Sequence, residues 1–240
     1  MMKIDIHTHI LPGIDDGAED WDTCLEMLRR SAESGVESVI ATPHYLPWRK
    51  NRSPKEIEEL CLQAEKNLSE KYGIAMDIYC GNEIYYTTDA IPNLKEGKTL
   101  PLAHSRYVLV EFGCQISYQI ICRAITEFRE AGYIPIVAHV ERYDCLRKPE
   151  RLQHIKEIGA LIQINVEAFR GGLFNVTRSW AKKRLVQEEV DFLASDMHNL
   201  FERTPTVREE LQRILKGLKP EYQRELLYGN AQRIIDGIRV

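Results

Sequence analysis

Two histidines separated by one residue stand near the start of the chain, in the run Asp5-Ile6-His7-Thr8-His9. Alternate side chains of a β-strand point to the same side, so the imidazoles of His7 and His9 can converge on one point. Converging neutral imidazoles are typical ligands of a transition metal. Further histidine or acidic residues follow later apolar runs, in the segments Thr42-Pro43-His44, Asn82-Glu83, Val110-Glu111, Ala138-His139 and Ser195-Asp196-Met197-His198.

The candidate ligands are five imidazoles and three carboxylates, namely His7, His9, His44, Glu83, Glu111, His139, Asp196 and His198. Any one of them alone is more often a structural residue than a metal ligand. Their shared position at strand ends instead predicts one polynuclear metal site, because a single site explains all of them at once. Without a thiolate, the set favours Mn, Zn, Fe or Co over Ca or Mg.

A site of this kind is suited to phosphoryl transfer. Metal ions about 3.5–4 Å apart bind both the attacking and the leaving oxygen of a phosphoryl displacement, and they provide an ionised water as nucleophile. So many ligands fit two or three ions if a carboxylate bridges. Three divalent ions against three carboxylates would carry a charge of about +3, which attracts a phosphate dianion.

Short β-branched runs that alternate with segments of helical periodicity must position these groups. Strands are predicted at 36–41, 106–112, 133–138, 160–166 and 190–194, with weaker ones at 2–6 and 74–80. Helices are predicted over 21–32 and 57–68, and Ser53-Pro54-Lys55-Glu56 has the form of a helix start. The sum is about seven βα units, which form a parallel sheet that is either open or closed into a barrel. In both arrangements, ligands bind at the carboxyl ends of the strands.

Length, charge and cysteine content narrow the class of protein. No linker or repeat divides the 240 residues, so we expect one domain spanning 1–240. The net charge of −4 and the lack of a basic stripe argue against nucleic acid as a partner. With no recognisable secretory signal and no apolar run of ~18 residues, we expect a cytoplasmic protein without membrane insertion. Six scattered cysteines without a Cys-x-x-Cys pair predict free thiols rather than disulfides or a thiolate metal site.

The chain resembles the polymerase and histidinol phosphatase (PHP) superfamily in its Asp-x-His-x-His start, its Thr-Pro-His after the second strand and its late Ser-Asp-x-His. Within that superfamily it closely resembles the manganese-dependent protein-tyrosine phosphatases encoded with bacterial capsule and exopolysaccharide genes. The segments that carry the closer resemblance span nearly the whole chain, at 7–17, 81–85, 105–112, 138–144, 194–199 and 230–235.

The resemblance implies a distorted (β/α)7 barrel, TIM-like and of the PHP type, that holds three metal ions, usually manganese. It assigns one ion to His7, His9, Glu83 and Asp196, a second to Glu83, Glu111 and His139, and a third to His44, Glu111 and His198. It also matches Arg142 and Arg203 to arginines on the phosphate side of the site. Asp16 matches a further active-site acid, which either orients a ligand or shuttles a proton.

The function implied by the resemblance is hydrolysis of phosphotyrosine on a protein. The expected substrate is the tyrosine-rich tail of a bacterial tyrosine autokinase that controls polysaccharide synthesis and export. Two alternatives stay open: a small-molecule phosphatase such as histidinol-phosphate phosphatase, and a non-catalytic, metal-dependent module that binds phosphotyrosine. The sequence leaves open the native metal, the oligomeric state and the role of loop 45–53, which is a candidate substrate contact.

Overall fold

Strands and helices alternate along the chain in the computed structural model, which describes residues 2–172 and 174–240. The strands in this described part are β1 (Ile4–Thr8), β2 (Ser38–Ala41), β3 (His44–Tyr45), β4 (Asp77–Cys80), β5 (Glu83–Tyr85), β6 (Tyr107–Glu111), β7 (Ile134–Val137), β8 (Leu161–Asn165) and β9 (Phe192–Ala194). The helices are α1 (Trp21–Glu33), α2 (Pro54–Tyr72), α3 (Ala90–Lys95), α4 (Tyr118–Glu130), α5 (Pro149–Glu157), α6 (Val176–Val186), α7 (Arg208–Leu215), α8 (Pro220–Arg224) and α9 (Asn230–Ile235).

All strand pairs are parallel, in the orders β1-β2-β4 and β3-β5-β6-β7-β8-β9. Strands β2 and β3 are two parts of one bent chain segment, as are β4 and β5, so the described strands occupy seven positions. The two bent segments remain hydrogen-bonded to each other through the bends, because Gly81 N donates to the Ala41 carbonyl and Glu83 N donates to the Pro43 carbonyl.

The last strand position returns to the first. Asp196 N donates to the His7 carbonyl at 3.0 Å, and His9 N donates to the Met197 carbonyl at 2.9 Å. Thr8 and Met197 form a parallel bridge there. This contact curls the sheet into a distorted barrel and confirms the α/β barrel class expected from the sequence.

Two short strands give no signal in the sequence, which predicts His44 just after the second strand and Glu83 after the third. In the structure, His44 and Glu83 each begin a further strand, β3 and β5, and these two strands pair with each other. Pro43 explains the interruption, since it has no N–H to donate to a neighbouring strand. The bend after Thr42 therefore places His44 within a strand rather than at the end of one.

Alternation along the strands separates two apolar layers. Leu109 and Ile136 pack with Ile40 and Phe192 from other strand positions, so this cluster fills the space that the strands enclose. Val108 and Val110 belong to the second cluster, which lies between the strands and the helices. Period-two alternation thus produces an inner and an outer core.

The two helices predicted from the sequence are present, although α2 continues to Tyr72, beyond the predicted end at 68. Helix α1 covers the predicted 21–32, and α2 begins with the predicted capping box, in which Ser53 and Glu56 bond reciprocally. Within the described residues, no helix combines the length and the apolar character needed to cross a membrane.

Candidate metal centre

The side chains of four candidate ligands converge where β9 returns to β1. His7 Nε2 lies 3.2 Å from His9 Nε2, 3.2 Å from Glu83 Oε2 and 3.3 Å from Asp196 Oδ1. His9 Nε2 lies 3.2 Å from the same Glu83 oxygen. All four residues are buried, so the structure creates a tight pocket of two imidazoles and two carboxylates.

Glu83 also belongs to a second group, with Glu111, His139 and His44. His139 Nε2 lies 2.8 Å from Glu83 Oε1 and 3.9 Å from Glu111 Oε2. His44 Nδ1 lies 3.0 Å from Glu83 Oε2 and 3.0 Å from Glu111 Oε1. The Glu83 carboxylate thus lies within 3.2 Å of four histidines, which is the position that a bridging carboxylate needs.

A third group forms around Asp16. His44 Nε2 lies 3.3 Å from Asp16 Oδ1, and His198 Nε2 lies 3.8 Å from the same oxygen. The expected grouping placed Glu111 with His44 and His198. Glu111 Oε1 does lie beside His44 Nδ1, and Asp16 adds a carboxylate on the Nε2 side of both His44 and His198. The loop between β1 and α1 therefore brings a carboxylate that the strands do not supply.

Asp15, next to Asp16, has a role that the sequence analysis missed. His9 Nδ1 donates to Asp15 Oδ2 at 2.7 Å, and His44 N donates to the same oxygen at 3.0 Å. Asp15 Oδ1 accepts from Gly17 N. Hydrogen bonding at Nδ1 fixes the tautomer, which leaves His9 Nε2 free to accept a metal.

Two further histidines are oriented in the same way. His198 Nδ1 donates to the Asp196 carbonyl at 2.9 Å, and His7 Nδ1 lies 3.2 Å from Gln163 Oε1. That Gln163 oxygen also accepts from His139 N at 2.7 Å. In both His198 and His7, Nε2 therefore faces the centre. The sequence analysis also missed Gln163, because an uncharged amide on a strand gives no signal of metal chemistry.

Asp196 is held by an amide and two guanidinium groups. Asn165 Nδ2 and Arg142 Nη2 donate to Asp196 Oδ2 at 2.7 Å and 2.9 Å. Arg203 Nη2 lies 2.6 Å from Asp196 Oδ1 and its Nη1 lies 3.9 Å from Asp16 Oδ2. Both predicted arginines therefore lie at the edge of the cluster, and Asn165 is a third residue that the sequence analysis missed.

Backbone strain coincides with two of these positions. His139 and Asp196 have φ values of 34° and 53°, in the left-handed region that residues with a Cβ seldom adopt. Such conformations cost about 1–3 kcal/mol and persist where the surroundings enforce them. Each lies two residues beyond the end of its strand, where the left-handed turn directs the side chain into the centre.

Mutual electrostatics dominate the titration of the metal-free cluster. Burial opposes protonation of His9, but the carboxylates of Asp15 and Glu83 outweigh it and raise the pKa of His9 to about 9. Burial likewise opposes ionisation of Glu83, yet the imidazoles of His7, His139 and His44 hold its pKa well below the usual range. In the metal-free protein the Glu83 carboxylate therefore stays ionised, and the neighbouring positive charge is a proton on His9.

The donor set fits divalent transition-metal ions. Four of its buried atoms have charged groups close by but make no well-aligned hydrogen bond among the described residues, namely His44 Nδ1, Glu83 Oε2, Asp196 Oδ1 and His198 Nε2. Orphaned polar atoms at such a depth are costly unless something binds them. With Asp15 and Asp16 the cluster also contains five carboxylates against two guanidinium groups, an excess of negative charge that cations would balance.

Residues 3–236 match the family described as capsular polysaccharide synthesis, CpsB/CapC. The chain belongs to the CpsB/CapC family. It is 34% identical to the tyrosine-protein phosphatase CpsB of Streptococcus agalactiae, over 97% of this chain and 98% of the relative. It is 31% identical to the tyrosine-protein phosphatase YwqE of Bacillus subtilis, over 94% and 87%. The resemblance found in the sequence is thereby confirmed at the level of the family.

Solved structures place this CpsB/CapC chain among barrel proteins. It matches a chain from the structures of YwqE of Bacillus subtilis and CpsB of Streptococcus pneumoniae, described as unique metal-dependent tyrosine phosphatases. The TM-score is 0.90 at 29% identity, covering 99% of this chain and 96% of the other. An organophosphorus hydrolase from Deinococcus radiodurans matches with a TM-score of 0.60 at 14% identity, covering 98% and 93%. The latter likeness shows the fold alone.

Cysteine chemistry does not explain the site of this CpsB/CapC chain. Cysteine-dependent phosphatases use a thiolate in a Cys-x5-Arg loop, and Cys24 and Cys145 each have an arginine at that spacing. Cys24, however, is buried within helix α1, and burial raises the pKa of its thiol to about 12. Burial also raises the pKa of Cys145. A protonated thiol is a poor nucleophile, so neither residue provides a phosphate-cradling thiolate.

Proposed function

We propose that this protein is a metal-dependent protein-tyrosine phosphatase. The observation that carries the proposal is a buried cluster of imidazoles and carboxylates with two arginines at its edge. Relatives of the CpsB/CapC family that align over nearly the whole chain bear the name tyrosine-protein phosphatase. The match to metal-dependent tyrosine phosphatases at 29% identity supports the same activity.

The proposed metal ligands are the eight residues found by the sequence analysis, with Asp16 added beside His44 and His198. We propose three ions, manganese in the first place, with iron, zinc and cobalt as alternatives. Bound divalent ions would polarise the phosphoryl group and supply the attacking oxygen. Asp15, Gln163 and Asn165 would hold the ligands in place, as residues behind a metal site commonly do.

Arg142 and Arg203 would bind the phosphoryl oxygens. Their side chains are 36% and 24% exposed, whereas the Asp196 carboxylate between them is 1% exposed. Each guanidinium group therefore has one side on Asp196 and another toward the opening. Fixed positive charge there stabilises the equatorial oxygens in the transition state, which is the main task of a protein in phosphoryl transfer.

A tyrosine leaving group matches the cluster. A phenol has a pKa of about 10, so it leaves as a phenolate without a strong general acid. Asp16 lies 3.3 Å from His44 Nε2 and 3.8 Å from His198 Nε2, which supports a ligand role over that of a proton shuttle.

Trp48 in loop 45–53 is exposed and packs edge-on against Tyr85, with 4.7 Å between the ring centroids. This aromatic pair is a candidate contact for the phenyl ring of the substrate.

The substrate protein we propose is the acidic, tyrosine-rich tail of a bacterial tyrosine kinase of the capsule pathway, bound in the cytoplasm. A cavity of about 270 Å³ supports it, because Arg178, Lys182 and Arg213 line it together with Arg170, which is ion-paired with the Glu210 carboxylate. Arg170 donates to the Glu202 carbonyl and to Thr204 Oγ1, on either side of Arg203. The cationic cavity is thus tied to the loop that carries a phosphate-side arginine.

The discriminating experiment is a substrate panel with metal analysis on one preparation. We expect the manganese-loaded protein to hydrolyse a phosphotyrosine peptide far faster than histidinol phosphate or a phosphoserine peptide. His7→Ala should abolish the activity, while His154→Ala, a histidine outside the centre, should preserve it. Preference for histidinol phosphate by orders of magnitude would establish the small-molecule alternative. Tight phosphotyrosine binding without turnover would establish the non-catalytic one.

A further inference from the structure

A second cluster of metal-type side chains lies apart from the candidate centre. Cys80 at the end of β4, Glu58 on α2 and His104 in the turn Leu102–His104 direct one ligand atom each to a common point. Cys80 Sγ lies 3.4 Å from His104 Nε2, and His104 Nε2 lies 3.7 Å from Glu58 Oε1. All three ligand atoms are within 4.8 Å of one another.

These separations are close to one face of a tetrahedral zinc site. Zinc binds thiolate sulfur at about 2.3 Å and imidazole nitrogen at about 2.0–2.1 Å, which places the two atoms about 3.5 Å apart at a tetrahedral angle. The observed Cys80–His104 separation is 3.4 Å. A carboxylate oxygen at about 2.0–2.2 Å completes the face and leaves one position for water.

The backbone holds His104 toward the thiol. Ala103 and His104 both have left-handed φ values, 48° and 54°, an uncommon pair of consecutive residues with a Cβ. Leu102 anchors the turn, because it is fully buried and packs so closely on Gly81 that a Cβ there would lie 2.8 Å from Leu102 Cδ2. His104 stays exposed while its Nε2 reaches the buried Cys80, so an ion can enter from solvent.

We propose that Glu58, Cys80 and His104 bind one thiophilic divalent ion, Zn²⁺ or Co²⁺, separately from the ions of the catalytic centre. The thiolate and the carboxylate neutralise the ion, so the complex adds no net charge to a half-buried position. The site departs from the expectation that no cysteine takes part in a thiolate metal site. It also does not depend on the proposed phosphatase activity.

A reactive thiolate is the competing interpretation of a cysteine beside a histidine. Burial and the Glu58 carboxylate raise the pKa of Cys80 to about 11, so the thiol is protonated near neutral pH. A protonated thiol is a poor nucleophile, whereas a thiophilic ion displaces the proton and is itself the compensating charge. The raised pKa therefore argues against a nucleophilic thiolate, and the Cys80–His104 separation of 3.4 Å fits a pair of metal ligands.

Binding would join three elements around the strand that leads to the catalytic centre. Cys80 precedes Glu83 by three residues in the chain, and an ion on Cys80 would connect this segment to α2 and to the turn at Leu102–His104. The ion would thereby restrain the strand that presents the central carboxylate. Ligands that bind only the folded state stabilise it by mass action.

The test is a cobalt titration of the metal-free, full-length protein, followed by absorption spectroscopy. Coordination by a thiolate gives a sulfur-to-cobalt charge-transfer band in the near ultraviolet. The candidate ligands of the catalytic centre contain no sulfur, so within the described residues this band reports the Cys80 site and not the catalytic one. We expect the intensity of the band to correspond to one thiolate-bound cobalt per chain, in addition to the cobalt taken up by the catalytic centre, and we expect the band to disappear when Zn²⁺ is added.

Variants identify the residues that bind the cobalt responsible for the band. Cys80→Ser and His104→Ala should each abolish it, and the exposed His104 keeps the test valid if Cys80→Ser does not fold. Cys122→Ser is the matched control, since Cys122 Sγ also lies near a histidine, 3.8 Å from His154 Nδ1. His7→Ala should leave the band unchanged. Absence of a band in the parent protein, or a band that survives both Cys80→Ser and His104→Ala, overturns the proposal.

Discussion

The carboxylate of Asp15 lies 2.7 Å from Nδ1 of His9, and its side chain is only 3% exposed. Asp15 also accepts the backbone N–H of His44, so a single carboxylate oxygen fixes two candidate ligands at once. Asp15 itself is not one of the candidate metal ligands. Its contribution is orientation, because it sets the tautomer of His9 and the start of β3 together.

Replacing Asp15 by asparagine should weaken metal binding. The amide removes the charge that orients His9, and loss of such a partner typically costs about 10–100-fold in metal affinity or activity. We expect Asp15→Asn to lose phosphatase activity at limiting manganese and to regain much of it at excess. The exposed Asp89→Asn is the control and should behave like the parent. Equal manganese titration curves for both variants would refute this role.

Metal affinity should rise with pH. In the metal-free protein the pKa of His9 is raised to about 9, so the ring is protonated at neutral pH and an incoming ion must displace that proton. The apparent affinity should therefore increase by up to about tenfold per pH unit between about pH 7 and 9. Calorimetry of manganese binding in buffers of different ionisation enthalpy counts the released protons. Asp15→Asn should release fewer, and a pH-independent affinity without proton release would contradict the prediction.

Loss of either arginine at the edge of the centre should slow turnover. Arg142→Ala or Arg203→Ala removes a donor aimed at the phosphoryl oxygens, and the loss of one such donor commonly costs about 10²–10³ in kcat. Phosphate release from a phosphotyrosine peptide measures the effect. Arg224→Ala, at a side chain that is 72% exposed, is the control. Unchanged kcat in both centre variants would show that the arginines serve only to hold Asp196.

Gly17 should be irreplaceable in the loop that carries Asp15. A Cβ at this position would lie 2.1 Å from the carbonyl oxygen of His9, which is backbone and cannot move aside cheaply. Gly17→Ala should lower the free energy of unfolding by about 1–3 kcal/mol and weaken metal binding. Gly172→Ala is the control, because a Cβ there would meet no atom of the described residues within 4 Å. Denaturant unfolding and metal titration of both variants test this, and equal results would contradict it.

Removing cationic side chains from this cavity should weaken the binding of peptide substrates more than that of small substrates. Arg178→Ala with Lys182→Ala removes two of its charges, each worth about 0.2–1 kcal/mol against an acidic partner. We expect the KM for an acidic phosphotyrosine peptide to rise several-fold at low salt, with p-nitrophenyl phosphate unaffected. The exposed pair Lys55→Ala with Lys66→Ala on α2 is the control. A parallel change for both substrates would assign the cavity to stability rather than to peptide binding.

The sequence predicts the strands and the histidines well because both have strong local signals. Alternate spacing places His7 and His9 on one side, and β-branched runs mark the strands that end near the candidate ligands. The seven strand positions and the convergence of the side chains follow from these patterns. The short strands that begin at His44 and Glu83 have no recognisable pattern, because they are only two and three residues long.

The residues that orient the candidate ligands could not be predicted from the sequence. Asp15 stands in a glycine-bounded loop without periodicity, and Gln163 and Asn165 carry no charge. Their roles depend on which side chain lies opposite after the barrel closes, as does the approach of Asp16 to His198. The left-handed backbone at His139 and Asp196 is likewise a product of tertiary packing, although His and Asp adopt it more readily than most residues with a Cβ.

The most direct test of the account is the rate of phosphate release from a phosphotyrosine peptide before metal removal, after exhaustive chelation and after manganese is restored. We predict that chelation abolishes the rate and that manganese restores it in the parent protein but not in His7→Ala. A rate that persists in the fully metal-free protein, or that His7→Ala retains, would contradict the claim that this cluster is a catalytic metal centre.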